Sequence, residues 1–83
     1  MHEKLKIEYP CEWEYRIIGV NEESLRLAVI EIIGSKVHNL SFSNKSKTGK
    51  YISLILKTTV TSEEERKNIY LALRKSPAIR SVI

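Results

Sequence analysis

The sequence contains no Asp and no Gln, so all ten of its acidic residues are Glu. It has one Cys, Cys11, which excludes an internal disulfide and is consistent with a reducing cytoplasm. The lone Cys and the two His residues, His2 and His38, lack the paired spacing of a metal site such as Cys-x-x-Cys. We therefore expect no metal and no other cofactor.

Long apolar runs are also missing. The N-terminus has no apolar segment of the kind found in signal peptides, and no window approaches the ~20 apolar residues that a membrane-spanning helix needs. A chain of 83 residues, 29% charged and 42% hydrophobic, is typical of one small soluble domain. These features predict a cytoplasmic protein with no membrane partner.

Charge gives only a weak indication of partners. The net charge of +4 attracts anions, but a charge of this size is ordinary for a small soluble domain. Nucleic-acid binding is therefore a less favoured alternative for the function.

The first half of the chain predicts a strand followed by a helix. Residues 1–10 are expected to form an extended or flexible lead-in, and residues 11–83 a single domain. Apolar and polar residues alternate with period two over residues 11–20, which predicts a strand with Trp13 and Tyr15 on its buried side. Asn21 then fits a helix N-cap, an apolar stripe follows, and Gly34 marks the helix end.

The second half predicts a hairpin, a helix and a last strand. Residues 38–44 read as a polar edge strand with Leu40 and Phe42 facing inward, and residues 46–49 as a turn into a long central strand. Ser62 and Glu65 have the spacing of a capping box at the start of a second helix. Residues 78–83 are expected to form a short final strand.

The order β-α-β-β-α-β predicts an α+β ferredoxin-like sandwich. Its four-stranded antiparallel sheet has the order 4-1-3-2, with strands two and four at the edges. Both helices cover one face of the sheet, which leaves the other face open.

Three short motifs resemble the YbeD-like family of small bacterial proteins of unknown function. They are Ser46-x-x-Gly49-x-Tyr51-x-Ser53, the segment 15–19 (Tyr-Arg-Ile-Ile-Gly) and the segment 79–83 (Ile-Arg-Ser-Val-Ile). The resemblance covers roughly residues 10–83 and implies a fold close to the ACT regulatory domains, which bind small effectors such as amino acids. It implies no catalytic residues, because none is established for that family.

The open sheet face is the first candidate interaction surface. By strand parity it carries Arg16, Ile18, Tyr51 and Ile55. An RNA-recognition domain of this topology stacks bases on aromatic side chains of strands one and three. Here Tyr51 is the one aromatic residue at those positions, and Glu12 and Glu14 would repel phosphate. This face is therefore expected to be a solvated surface or a docking patch for a protein partner.

Two loops complete the candidate surface. Lys45, Lys47 and Lys50 make a basic turn that either binds an anion or keeps an exposed hairpin soluble. Gly19 and Asn21 flank a turn into a helix N-terminus, where free amides bind anions unless Asn21 already caps them. An acylphosphatase, an enzyme of this fold, would need an Arg in that loop, and none is present.

The favoured function is a non-enzymatic binding or regulatory module, ACT-like in shape, acting as a monomer or weak homodimer. It would bind a protein partner or a small effector. The alternative is weak nucleic-acid binding through the basic turn between the second and third strands. An enzyme is least favoured, because no nucleophile–base pair, metal set or acid pair with suitable spacing occurs.

Overall fold

The computed structural model describes residues 7–83, and its elements follow the predicted order. The strands are β1 (Cys11–Gly19), β2 (His38–Lys45), β3 (Ile52–Val60) and β4 (Ser81–Val82). The helices are α1 (Glu22–Ile33) and α2 (Glu63–Lys75). All strand pairs are antiparallel and the sheet order is β2-β3-β1-β4, which confirms the ferredoxin-like prediction.

The β1–β3 ladder is the centre of the sheet. It runs without interruption from the pair Cys11–Val60 to the pair Gly19–Ile52. Alternate residues of the two strands therefore share a face, with Ile17 opposite Leu54 on the helix side and Ile18 opposite Ser53 on the open side. This register decides which side chains can meet on each face.

The core lies between the sheet and both helices. Burying these apolar side chains stabilises the fold by roughly 25 cal/mol for each Å² removed from water. The largest fully buried side chains come from β1, α1, β3 and α2 alike: Ile17, Leu25, Val29, Leu54, Leu56, Val60 and Leu73.

Both helices begin at the caps that the sequence indicates. The Asn21 side chain accepts a hydrogen bond from the Ser24 amide at 2.8 Å, and the Ser62 hydroxyl accepts one from the Glu65 amide at 3.1 Å. The capping box at α2 differs from the prediction in one respect. The Glu65 carboxylate accepts from the amide of Thr61, at 2.7 Å, rather than from that of the cap residue.

Phe42 corrects the prediction for β2. It pairs with Leu54 and so belongs to the helix side of the sheet, but its side chain is 51% exposed. Neither helix packs closely on β2, so the inward side of this edge strand is open to solvent at Phe42, although Leu40 packs partly buried against the core. A β-bulge directly after Phe42 further separates the end of the strand from the core.

The last strand is shorter than predicted. Residues 76–79 form a turn, in which the Ile79 amide donates to the Ser76 carbonyl at 3.1 Å. Pro77 favours this turn because its ring holds φ near the value a turn requires. Pairing with β1 starts at Ser81 and reaches Ile83, whose backbone exchanges two hydrogen bonds with Arg16.

The lead-in proposed for residues 1–10 lies partly outside the described residues. Within them, Tyr9-Pro10 precedes β1, and the Tyr9 hydroxyl accepts a hydrogen bond from Arg66 at 3.1 Å.

Across residues 7–83, neither helix has the length and apolar character needed to cross a membrane.

Candidate functional site

Most of the predicted site residues lie at one end of the sheet, called here the hairpin end. There β1 finishes at Gly19, opposite Ile52 at the start of β3. The turn between β2 and β3, residues 46–51, closes the same end. Residues from three strands and two loops are thereby brought together, although they are far apart in the sequence.

The hairpin is held by Ser46. Its amide donates to the Tyr51 carbonyl at 2.8 Å, and its hydroxyl accepts from the Tyr51 amide at 3.0 Å. Gly49 has φ 74, a left-handed conformation that favours glycine, and its amide donates to the Ser46 carbonyl at 2.9 Å. The motif that carried the family resemblance is therefore the set of residues that builds this turn.

A pocket of about 220 Å³ lies on the helix-free face beside this hairpin. We call it the open-face pocket. It combines one cation, several short polar side chains and an apolar floor, a mixture typical of small-ligand sites. Its lining residues are Arg16, Ile18, Asn44, Ser46, Tyr51, Ile52, Ser53 and Ile83.

Arg16 supplies the charge of the open-face pocket. Its side chain is exposed and forms no ion pair within residues 7–83. Its backbone is held rigidly, because the amide donates to the Ile83 carbonyl at 3.1 Å and the Ile83 amide donates to the Arg16 carbonyl at 2.8 Å. An unpaired guanidinium on a fixed strand is well suited to binding a carboxylate or phosphate.

The lysines of the basic turn do not line the pocket. Lys45, Lys47 and Lys50 are all exposed. The Lys50 ammonium lies 5.5 Å from the centroid of the Tyr51 ring, which places one cation beside the pocket. Together with Arg16 these lysines make the hairpin end electropositive, and this charge attracts anions toward the pocket.

The turn at Gly19 and Asn21 is closely packed and capped. A Cβ at Gly19 would lie 2.7 Å from the Ala78 carbonyl oxygen and 2.7 Å from Leu25 Cδ2, so no side chain fits there. Asn21 already satisfies the Ser24 amide at the start of α1. Neither residue lines the open-face pocket. Ile55, which pairs with Arg16 across β1 and β3, also lies outside the pocket.

Five residues of the pocket were not among the predicted site residues: Asn44, Ser46, Ile52, Ser53 and Ile83. Ser46 and Ser53 lie in the motif that carried the resemblance, so a signal for them was available. Asn44 reaches the open face because the bulge after Phe42 places it opposite Ser53. Ile83 lines the pocket because the short β4 brings it opposite Arg16. The local sequence pattern predicts neither the bulge after Phe42 nor this pairing.

The acidic residues of the open face lie further from the hairpin end. Glu14 is paired with Lys57, as the strand parity predicts, and Glu12 is paired with Thr59. Glu14 and Lys57 form no ion pair. The carboxylates therefore lie towards the start of β1, together with Lys57, whereas Arg16 lies towards its end.

A larger cavity, about 420 Å³, lies between Ile32 of α1 and the first turns of α2. Part of its polar wall is already engaged. The Glu65 carboxylate accepts from the Thr61 amide and hydroxyl and from Lys36 Nζ at 3.4 Å, and these donors hold the pKa of Glu65 below its usual 4.5. No group of His, Cys and Glu side chains in residues 7–83 is arranged to hold a metal ion.

The sequence model of a family described as "Protein of unknown function (DUF493)" matches residues 4–83. An uncharacterized protein of Helicobacter pylori is 33% identical over 67 residues, covering 81% of this chain and 78% of its own. A UPF0250 protein of Hahella chejuensis is 29% identical and covers 94% of this chain and 90% of its own.

A solved structure has the same fold. The solution structure of protein HP0495 from Helicobacter pylori superposes with a TM-score of 0.83 at 26% sequence identity. The match covers 98% of this chain and 89% of that protein. The descriptions of these relatives assign no ligand and no activity.

Proposed function

The chain belongs to the DUF493 family, and we propose that it is a non-enzymatic binding module whose open-face pocket takes a small anionic effector. The resemblance to the YbeD-like family inferred from the sequence is confirmed by the UPF0250 relatives. The ACT-like regulatory role that this resemblance implies belongs to the proposal.

A single observation carries the proposal: an unpaired Arg16 guanidinium lies in a pocket that also has hydroxyl and amide groups and an apolar floor. Arg16 would bind a carboxylate or phosphate, with Ser53 and Asn44 as further hydrogen-bonding partners. Ile18 and Ile83 would contact a short apolar part of the same molecule. A volume of about 220 Å³ limits the ligand to the size of an amino acid or a small organic acid.

The proposal is tested by following backbone amide chemical shifts while adding amino acids, short organic acids and inorganic phosphate one at a time. We expect at least one of them to shift the amides of Arg16, Ser46 and Ser53. Replacing a charge-assisted hydrogen bond costs about 1.5–3 kcal/mol, so Arg16→Gln should weaken binding by roughly 10-fold or more. Lys67→Gln, which removes a cation on α2, is the matched control.

Two results would contradict it. Shifts confined to the cavity between α1 and α2 would place the ligand elsewhere. Equal affinity of the Arg16→Gln and Lys67→Gln variants would show that Arg16 does not bind the anion.

Nucleic-acid binding is the second candidate, favoured by the exposed lysines of the basic turn beside Tyr51. It predicts an affinity that falls steeply with salt, because phosphate contacts release counterions. Lys47→Glu combined with Lys50→Glu should abolish binding to single- and double-stranded probes. If affinity for both probes is unchanged in that double variant, this candidate is wrong.

A further inference from the structure

The outer edge of β1 is only partly covered. β4 pairs with β1 at Ile17 and Ile18, and the Arg16–Ile83 hydrogen bonds extend this pairing by one residue. The first half of β1, from Cys11 to Tyr15, has β3 on one side, and no strand from residues 7–83 lies on the other. An uncovered edge of this kind presents backbone donors and acceptors to any extended chain.

The direction of the free backbone groups follows from the groups that are paired. Arg16 donates to and accepts from Ile83, and the Ile18 carbonyl accepts from the Arg80 amide at 2.7 Å. Because the backbone direction alternates along a strand, the amides and carbonyls of Glu12 and Glu14 point to the same outer edge. They have no backbone partner on that side within residues 7–83.

An aromatic pocket of about 230 Å³ borders this edge on the helix side of the sheet. Most of its exposed lining is apolar. Trp13 and Tyr15 of β1 and Tyr70 of α2 form it together with Arg66, Lys67 and Ile83. It therefore offers a hydrophobic contact directly next to unpaired backbone.

The aromatic pocket is held in place by Arg66. The guanidinium carbon of Arg66 stacks 4.5 Å from the Trp13 ring centroid. Arg66 Nε donates to the Tyr9 hydroxyl at 3.1 Å, and the Tyr15 hydroxyl donates to the Arg66 carbonyl at 2.7 Å. Four residues from three parts of the chain thus preorganise the pocket, which reduces the entropy lost on binding.

We propose that this edge binds an extended peptide segment of a partner protein, which adds a strand antiparallel to β1 in line with β4. Strand addition of this type gains affinity from main-chain hydrogen bonds and specificity from alternate side chains. Here the side chains of β1 define the neighbours of the peptide side chains on both faces of the sheet. Peptide residues opposite Trp13 and Tyr15 enter the aromatic pocket, and those opposite Glu12 and Glu14 lie on the open face.

The chemistry of the partner follows from these two faces. The aromatic pocket takes apolar or aromatic side chains. Glu12 and Glu14 are both exposed, and neither forms an ion pair in residues 7–83, so the alternate peptide positions favour Lys or Arg. Opposite charges directly across a strand pair are stabilising. The recognised segment therefore alternates apolar and basic residues.

The test uses a synthetic acetylated and amidated peptide of sequence Ser-Phe-Lys-Val-Lys-Phe-Ser with the full-length chain. We expect its addition to slow hydrogen exchange of the Glu12 and Glu14 amides by at least about 10-fold at saturation. The combined change Glu12→Lys with Glu14→Lys should weaken binding by about 10-fold or more. Glu31→Lys, an exposed charge reversal on α1, is the matched control and should bind normally.

Two control peptides keep the test independent of the folding of any variant. In the first control peptide, N-methylation at alternate residues removes the amide donors that face β1. In the second, exchange of both Lys for Glu reverses the charge of the peptide. Both peptides should fail to bind. Equal binding of either control would overturn the proposal. So would protection confined to β2, or shifts confined to the open-face pocket, which belongs to a separate site.

Discussion

Ser46 and Tyr51 are joined by two hydrogen bonds, one from the Ser46 amide to the Tyr51 carbonyl at 2.8 Å and one from the Tyr51 amide to the Ser46 hydroxyl at 3.0 Å. The first would form with any residue except Pro at position 46, whereas the second needs a hydroxyl. This pair fixes the direction in which the hairpin leaves β2, and so fixes one wall of the open-face pocket.

Ser46→Ala tests this relationship. It removes the hydroxyl acceptor and should lower the free energy of unfolding by about 1 kcal/mol, the usual contribution of one such bond. It should also speed hydrogen exchange at the Tyr51 amide, because that donor loses its partner. Ser41→Ala, at an exposed position of β2 in the same sheet, is the control. Unchanged exchange at Tyr51 would show that the hydroxyl does not hold the turn.

Gly19→Ala tests the close approach at the end of β1. The added Cβ meets the Ala78 carbonyl oxygen and the Leu25 side chain, both at 2.7 Å. Because the first contact is backbone, relief requires movement of the loop before β4, and overpacking of this kind costs about 1–3 kcal/mol. Urea denaturation measures the loss. A variant as stable as the wild type would mean that this loop adapts without cost.

Leu54→Ala and Phe42→Ala compare two residues that face each other across β2 and β3. Leu54 is fully buried, so its truncation should cost about 2–5 kcal/mol. Phe42 is 51% exposed, and its truncation should cost about 1 kcal/mol or less. Thermal or urea denaturation separates the two. Similar losses for both variants would indicate that Phe42 is covered in solution.

Tyr15→Phe tests the alkaline limit of stability. Burial raises the pKa of Tyr15 from 10.0 to about 12, so between these values the unfolded chain releases a proton that the folded chain keeps. Stability is therefore fully present below pH 10 and falls as the pH rises towards 12. Removing the hydroxyl should make this decline shallower in denaturant titrations across that range. Tyr51→Phe, at an exposed tyrosine, is the control.

Glu65→Gln tests the acid limit. The Thr61 amide and hydroxyl hold the pKa of Glu65 below 4.5, and Lys36 adds to this effect. A lowered folded-state pKa contributes stability above the unfolded value, and that stability is lost as the pH falls through the folded value. The variant should be less stable at neutral pH and lose less on acidification. Glu64→Gln, at the neighbouring exposed position, is the control.

Much of the fold follows from local sequence patterns. Period-two alternation predicts β1, the cap residues Asn21 and Ser62 predict both helix starts, and Gly49 predicts the hairpin turn. These signals are local because capping and turn geometry depend on residues within one turn of each other. Topology then follows from the element order, since few arrangements satisfy the handedness of the crossovers.

The candidate site was predictable only in part. Arg16, Ile18 and Tyr51 were correctly placed on the open face, and the structure brings them into one pocket. Gly19 and Asn21, also predicted as interaction residues, do not line this pocket; Gly19 is closely packed and Asn21 caps α1. A turn at a helix start has the same sequence pattern whether its amides are free or capped.

By itself, the sequence determined the elements, their order, the family and the lysine-rich turn, because each depends on neighbouring residues or on a recognisable motif. The tertiary structure decided which residues share a pocket and which edge remains open. The bulge after Phe42 moved Asn44 to the open face. Because β4 is short, Ile83 lies opposite Arg16, and the outer backbone groups of Glu12 and Glu14 have no backbone partner within residues 7–83. Register and strand length arise from packing between distant segments, and no local pattern encodes them.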